Sequence, residues 1–376
     1  MARENQICTR CVMDTTDTDI RFDEDGVCNH CRNYDELVNK YVFTGKEGDQ
    51  KLQAIVAKVK KLGRNKEYDC IIGVSGGVDS TYNAYIVKKL GLRPLAVHLD
   101  NGWDSELAVC NIERTLKKLD IDLNTHVINW DKFRDLQVAY FKAGVLDLEI
   151  PTDQAITAIL FGTASKMGIK HILLGQNYVT EAILPLAWRF NKNDLMNLKD
   201  IHKRFGTVEL ETYPTLGFRK YLYYWVVKNI RTLTILDYVP YVKKDVKEFI
   251  IEELGWKDYG HKHWESVFTR FYQAYILPRR FNIDKRKCHL SSLVCSGQLT
   301  REEALAEIQA PPYERAEDLE RDKEYVLKKL GFSNEEFERL MTMPVKSHLD
   351  YANDTKWENL QQSILDAIPF IRRIFK

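Results

Sequence analysis

The sequence predicts an α/β protein on a doubly wound parallel sheet, with a small cysteine-organised module ahead of it and a helical region behind. Three observations carry this expectation. Residues 68–81, Y-D-C-I-I-G-V-S-G-G-V-D-S-T, read as an apolar strand that breaks into paired glycines and then into a helical pattern. Strand-like and helix-like stretches alternate after it as far as Leu174. Two C-x2-C pairs stand near the start of the chain.

Bulk composition narrows the function classes. With 376 residues the chain exceeds one average domain. Its 55 Lys and Arg balance 54 Asp and Glu, so the strongly basic excess of a protein held mainly by nucleic-acid phosphates is missing, and nucleic acid is not an expected partner. No run reaches the roughly 18 apolar residues of a membrane span, and Met1 to Arg10 lacks the apolar core of a signal peptide. A cytoplasmic location without a transmembrane segment is expected. Eight cysteines are too few for a disulfide scaffold.

Cys8, Cys11, Cys28 and Cys31 form C-x2-C, sixteen residues, C-x2-C, a spacing that brings four thiolates around one tetrahedral Zn2+. Four thiolates leave no open coordination position, so this zinc is expected to be structural. His30 is either a spare ligand or a solvated side chain. Asp25-Gly26 suits a hairpin turn. Such zinc ribbons grip nucleic acid in some proteins and brace a neighbour in others. Residues 1–45 form this unit, and a helix over 46–66, with Leu52, Ile55, Val56, Val59 and Leu62 at helical spacing, links it to the next.

Gly76 and Gly77 let the backbone curl so that several amides reach one anion, and the following helix start favours phosphate. No lysine follows as in a Walker loop. The pattern S-G-G-V-D-S resembles the pyrophosphate loop of enzymes that split ATP into AMP and pyrophosphate. The resemblance makes 67–255 an ATP-binding domain of the pyrophosphate-loop, adenine nucleotide alpha hydrolase-like type. It implies Ser75, Gly76, Gly77, Val78, Asp79 and Ser80 as ATP contacts. Helix 79–90 and strand 93–99 follow, ending at Asp100, which suits ribose, a metal or a turn. Next come helix 105–119, a strand near 125–129, helices around 132–143 and 153–167, and strand 170–174. Cys70 and Cys110 read as packed small residues.

At 175–182, G-Q-N-Y-V-T-E-A is similar to the G-H-N-x-D-D-E-A segment of tRNA-thiolating pyrophosphate-loop enzymes, sharing Gly175, Asn177, Glu181 and Ala182. Gln176 replaces the histidine, and Val179 with Thr180 the acidic pair. Gly175 and Gln176 are candidate ATP contacts, Asn177 and Glu181 substrate contacts. The aromatic run F-R-K-Y-L-Y-Y-W-V-V, 218–227, is expected to be helix core.

Residues 256–376 are expected to be helical and to contribute to the cleft, since 261–298 crowd His263, Glu265, Arg270, Lys285, Arg286, His289, Ser291 and Ser292 among aromatics. Capping boxes at Thr300/Glu303 and Ser333/Glu336 open late helices, and a last helix, kinked at Pro369, is expected over 357–376. Together with C-T-R-C-V-M-D-T-T and S-G-G-V-D-S, the stretches K-H-W-E-S-V-F-T-R-F-Y-Q and D-K-R-K-C-H-L-S-S-L resemble the N-acetyl sugar amidotransferase family of lipopolysaccharide O-antigen and related surface-sugar pathways. The resemblance implies ATP-dependent conversion of an acetamido group to an acetamidino group on a nucleotide-linked sugar, with AMP and pyrophosphate released. Asp79 is then a candidate Mg2+ ligand. Lys285 and Arg286 suit charge developing at phosphorus, and His263, Glu265 and His289 suit proton handling. Arg270, Ser291 and Ser292 are candidate substrate contacts. No G-x-C-x-G glutaminase elbow occurs, so a separate glutamine-hydrolysing partner is expected to supply ammonia. Rival readings are a tRNA-modifying enzyme and a non-catalytic nucleotide-binding zinc-ribbon module.

Overall fold

The computed structural model describes residues 5–355. Its sheet is five-stranded in the order β3-β2-β1-β4-β5, with β1 at Cys70–Gly73, β2 at Pro94–Asp100, β3 at Asp122–Val127, β4 at His171–Leu174 and β5 at Arg231–Thr234. Every neighbouring pair is parallel, with Ile71 opposite Leu95 on one side and Ile172 on the other. The doubly wound architecture is therefore present, and the strand order reverses between β1 and β4. A crevice opens at that reversal, outside the carboxyl ends of the strands.

Alternation along the strands divides the core between two layers. Ile71, Leu95, Val97 and Ile172 pack with Phe133 and Leu136 of helix α5 (Trp130–Ala143) and Ala155 and Leu160 of α6 (Ile150–Met167). Cys70, Ile72, Ala96 and Leu173 face the opposite way. They meet α2 (Gly45–Gly63) through Leu52, Val56 and Val59, α3 (Val78–Lys89) through Ala84 and Val87, and α4 (Glu106–Leu119) through Ile112 and Leu116. Ser105 caps α4 by accepting from the Ala108 amide at 3.2 Å, as its place before the apolar pattern implies.

Three expectations need correcting. Strand β5 lies in the aromatic-rich stretch and is too short, and too polar at Arg231, Thr232 and Thr234, to announce itself. The aromatic run ahead of it is only partly core. After α9 (Phe218–Leu222) the helix widens into a π turn at Tyr223–Val227, which rotates the stripe so that Tyr224 is buried while Phe218, Tyr223, Val226 and Val227 are exposed. Cys70 is packed as expected, but Cys110 on α4 is partly open. The helix expected over 357–376, with its kink at Pro369, lies outside the described residues. Among those described, no helix is long and apolar enough to cross a membrane.

Candidate active site

The loop after β1 needs its glycines for different reasons. Gly76 has φ of +76°, and a Cβ there would sit 2.5 Å from the Ala108 carbonyl oxygen. Only glycine fits both the conformation and the space. Gly77 lies under three polar atoms: a Cβ on it would stand 3.2 Å from Ser75 Oγ, 3.3 Å from Glu265 Oε1 and 3.3 Å from the Tyr259 hydroxyl. Ser75 and Ser80 close the turn: both the Ser75 amide and its hydroxyl lie 3.3 Å from Ser80 Oγ, and Ser80 Oγ donates to the Gly77 carbonyl at 3.1 Å. Val78, Asp79 and Ser80 form the first turn of α3, where amides lack intrahelical acceptors and attract an anion. Gly175, after β4, would bring a Cβ within 2.9 Å of the Asp79 carbonyl oxygen, so the β1 and β4 junctions meet at the sheet's reversal point.

A segment running from residue 256 to 267 crosses above this loop. Trp256 Nε1 donates to the Gly76 carbonyl at 2.8 Å, the Ser105 amide donates to the Glu265 carbonyl at 2.8 Å, and the Val267 amide to that of Trp103 at 2.8 Å. His263 is held at φ +65°, an uncommon conformation for a residue with a side chain. Its Nδ1 lies 3.7 Å from Glu265 Oε1. Lys262 joins two carboxylates, bonding Glu181 and reaching Asp79 Oδ2 at 3.5 Å, while the Tyr241 hydroxyl bonds the other Asp79 oxygen. Burial pushes the Asp79 carboxyl up, but Lys262, the Tyr241 hydroxyl, Lys243 and His263 together hold it below its ordinary range. Burial likewise opposes the charged form of Glu265, and the His263 contact and Tyr259 hydroxyl outweigh it. Lys262 is raised despite its burial because Glu181 and Asp79 flank it.

His289 completes the cleft from helix α13 (Arg286–Cys295), its ring centroid 5.5 Å from that of His263. Burial, then the charges of Lys262, His263, Lys243 and Lys285, push the imidazole well below its usual range. Lys285, one turn earlier, has its Nζ 3.9 Å from Glu149 at the start of α6. Tyr241, Lys243, Trp256, Tyr259 and Lys262 were not singled out from the sequence. Lys262 stood inside the motif K-H-W-E, and the pair Tyr241 and Lys243 follows the strand that the sequence pattern hides.

Other expected site residues are committed elsewhere. Arg286 bonds Asp284 at 2.7 Å and gives its remaining donors to the carbonyls of Glu307, Ile308 and Ala310, capping helix α14 (Arg301–Gln309). That leaves no guanidinium face for a phosphate. Arg270 forms a fork with Asp322 at 2.5 and 2.6 Å, shared with the Tyr313 hydroxyl at 2.8 Å. Ser291 and Ser292 are fully buried, accepting from the Val12 and Ile183 amides, both at 3.2 Å. Asn177 caps a short helix by accepting from the Thr180 amide at 2.9 Å, and Gln176 is exposed. Asp100 accepts from the Gly102 amide at 2.9 Å, the turn role, and with His98 and Asp104 lines a cavity of about 320 Å3. Arg270→Met is expected to cost about 3 kcal/mol by stranding Asp322 among buried groups. Urea unfolding should show the loss, while nucleotide affinity of the folded protein stays unchanged.

The four thiols fit a zinc ion. Cys8 and Cys31 sulfurs are 3.8 Å apart, and Cys11 to Cys28 and Cys28 to Cys31 are 3.7 Å apart. A tetrahedral ion with metal–sulfur bonds of about 2.3 Å separates its ligands by about 3.8 Å. Amides of Arg10, Cys11, Met13 and Cys28 point at these sulfurs at 3.2–3.4 Å and support thiolate charge. Gly26 turns the chain between the knuckles at φ +75°. His30 is neither ligand nor solvated: its Nε2 lies 2.6 Å from the buried carboxylate of Asp17. The module grips the helix that carries His289. Ser291 bonds the Val12 amide, Lys287 bonds Asp14 at 2.5 Å, and Cys295 Sγ lies 3.6 Å from Cys31 Sγ, while Arg301 at the start of α14 donates to the carbonyls of Cys8 and Cys11.

Residues 265–363 match the WbpG-like C-terminal domain of lipopolysaccharide biosynthesis proteins. The chain is 38% identical over 77 residues to tRNA-specific 2-thiouridylase MnmA 2 of Clostridium botulinum, covering 19% of this chain and 21% of that protein. It is 24% identical over 218 residues to MnmA 2 of Fusobacterium nucleatum, covering 53% and 60%. The chain thus spans less than two thirds of the length of these relatives. Among solved structures, NMN synthetase from Francisella tularensis aligns with a TM-score of 0.38 and 14% identity over 77% of this chain and 96% of that one. The NH3-dependent NAD synthetase of Campylobacter jejuni aligns with a TM-score of 0.28 and 14% identity over 42% and 75%. Over its matched carboxy-terminal stretch the chain carries a WbpG-like domain, and that domain begins at Glu265, against the glycine loop.

Proposed function

We propose that this chain, carrying a WbpG-like domain folded against a lysine-free glycine loop, is an ATP-dependent amidotransferase that converts the acetamido group of a nucleotide-linked sugar to an acetamidino group. The observation that carries the reading is the meeting of Glu265, with Tyr259 beside it, and Gly77, since it sets the first residue of the matched domain directly against the glycine turn.

An acetamide carbon is a poor electrophile and oxide a poor leaving group. Attack of the amide oxygen on the α-phosphate makes an O-adenylyl imidate whose leaving group is AMP, and ammonia then displaces it. Such a step needs positioning and charge neutralisation more than a protein nucleophile. The amides from Gly76 to Ser80 cradle the departing pyrophosphate, and Lys262 and Lys243 offset its charge. Asp79 and Glu181 present hard carboxylate oxygens of the kind Mg2+ prefers, and Mg2+ entering with ATP would neutralise phosphate oxygens there. Glu265 and His263 lie where the amide proton is handled.

The test is incubation of candidate UDP-N-acetyl sugars with ATP, Mg2+ and ammonium, followed by mass spectrometry for replacement of amide oxygen by NH, with AMP as co-product. Ammonium should support turnover and glutamine alone should not. Full activity with glutamine alone would remove the separate ammonia-supplying partner. The identity to the thiouridylases favours a second reading, base modification in tRNA. Its signature would be AMP release that depends on tRNA and not on any sugar.

A further inference from the structure

We propose that His289 is the ammonia-receiving residue, its Nδ1 accepting an N–H of neutral ammonia and then the proton released on attack. This deepens the amidotransferase reading and rests on it. Nδ1 of His289 is buried without a hydrogen-bond partner among the described residues, an unfavourable state unless something arrives to fill it. The ring sits in the cleft, 5.5 Å from His263 and one helical turn from Lys285.

Charge around the ring selects the form of the nitrogen. The groups bearing most strongly on His289 are Lys262, His263, Lys243 and Lys285, all on the basic side. Most carboxylate oxygens of the cleft already have partners: Asp79 and Glu181 share Lys262, Glu149 faces Lys285, and Glu265 faces His263 through Oε1, while its Oε2 is buried without a hydrogen-bond partner among the described residues. An ammonium ion entering beside His289 meets several positive neighbours. Neutral ammonia finds a neutral acceptor.

In the step itself the nitrogen lone pair forms the C–N bond to the adenylated carbon, and one N–H proton passes to His289 Nδ1. The C–O bond then breaks with its electron pair leaving on AMP, and the product keeps the remaining nitrogen protons as an amidinium. His289, crowded by cations, gives the proton up to solvent and returns to its neutral form. Bulk ammonium therefore has to lose its proton before entry, which a partner releasing ammonia directly into the cleft would arrange.

The experiment separates the two half-reactions in the full-length protein, using UDP-N-acetylglucosamine and related UDP-N-acetyl sugars as probes. Acceptor-dependent exchange of labelled pyrophosphate into ATP reports adenylation, and acetamidino product formed against ammonium chloride concentration reports amination. For His289→Ala and His289→Gln, exchange should stay within about twofold of the unaltered protein, which also shows that the variants fold. Their kcat/KM for ammonium should fall about 10- to 100-fold. A parallel fall in exchange would place His289 in adenylation, and an unchanged amination rate would leave it idle; either result overturns the proposal. Absence of exchange in the unaltered protein, with every sugar tried, would sink the amidotransferase reading and this inference with it.

Discussion

Gly76→Ala is expected to lower AMP formation by about 100-fold or more and to weaken ATP binding in parallel, because the loop can no longer present its amides together. Two effects combine. Alanine at φ +76° takes on left-handed backbone strain of roughly 1–2 kcal/mol. Its Cβ would also stand 2.5 Å from the Ala108 carbonyl oxygen and 3.0 Å from the Ala108 Cα, backbone atoms that cannot swing aside. Relief requires the turn to move off α4, which breaks the Trp256 bond to the Gly76 carbonyl and lifts the 256–267 segment that brings Glu265 and His263 over the loop. Calorimetric titration with ATP checks the first half of the claim and AMP release the second. Gly77→Ala serves as the contrast. Its neighbours are the side-chain ends of Ser75, Glu265 and Tyr259 at 3.2–3.3 Å, which can shift, so its loss should be clearly smaller.

Removing zinc, by chelation or by Cys28→Ser, is expected to disable the cleft without unfolding the sheet. In small zinc modules the metal supplies on the order of 10 kcal/mol of folding free energy, so the knuckles should lose their structure. Helix α13 then loses its anchors at Val12 and Asp14, α14 loses the Arg301 bonds to the carbonyls of Cys8 and Cys11, and the Tyr34 hydroxyl lets go of the Val179 carbonyl beside Glu181. Hydrogen exchange should quicken over 8–31 and 285–296 while β1 and β2 stay protected, and acceptor-dependent AMP release should fall at least tenfold. A knuckle region that opens while α13 keeps its protection would show that the module sits beside the helix without holding it.

Much of this was legible in the chain. The Gly76-Gly77 turn, the C-x2-C pairs and the alternating apolar strands are local signals, because φ, ligand spacing and strand period are set by neighbours in sequence. What the sequence hid is long-range. Nothing near Arg270 or Arg286 says that Asp322 or the end of α14 will absorb the guanidinium, so Arg270 reads as a substrate contact and Arg286 as a phosphate ligand until their partners are seen. Ser291 looked like a sugar contact and instead bonds an amide between the knuckle cysteines, 279 positions away. Lys262 and Tyr241 acquire meaning only through Asp79, on a different element. Strand β5 escaped because polar residues occupy three of its four positions.

The most direct test follows oxygen. A UDP-N-acetyl sugar labelled with oxygen-18 in the acetamide carbonyl, turned over with ATP and ammonium, should pass its label into the phosphate of AMP and leave pyrophosphate unlabelled. That result requires the amide oxygen to attack the innermost phosphoryl group while the glycine loop holds the outer two. ADP with labelled orthophosphate, or AMP without label, would contradict the account.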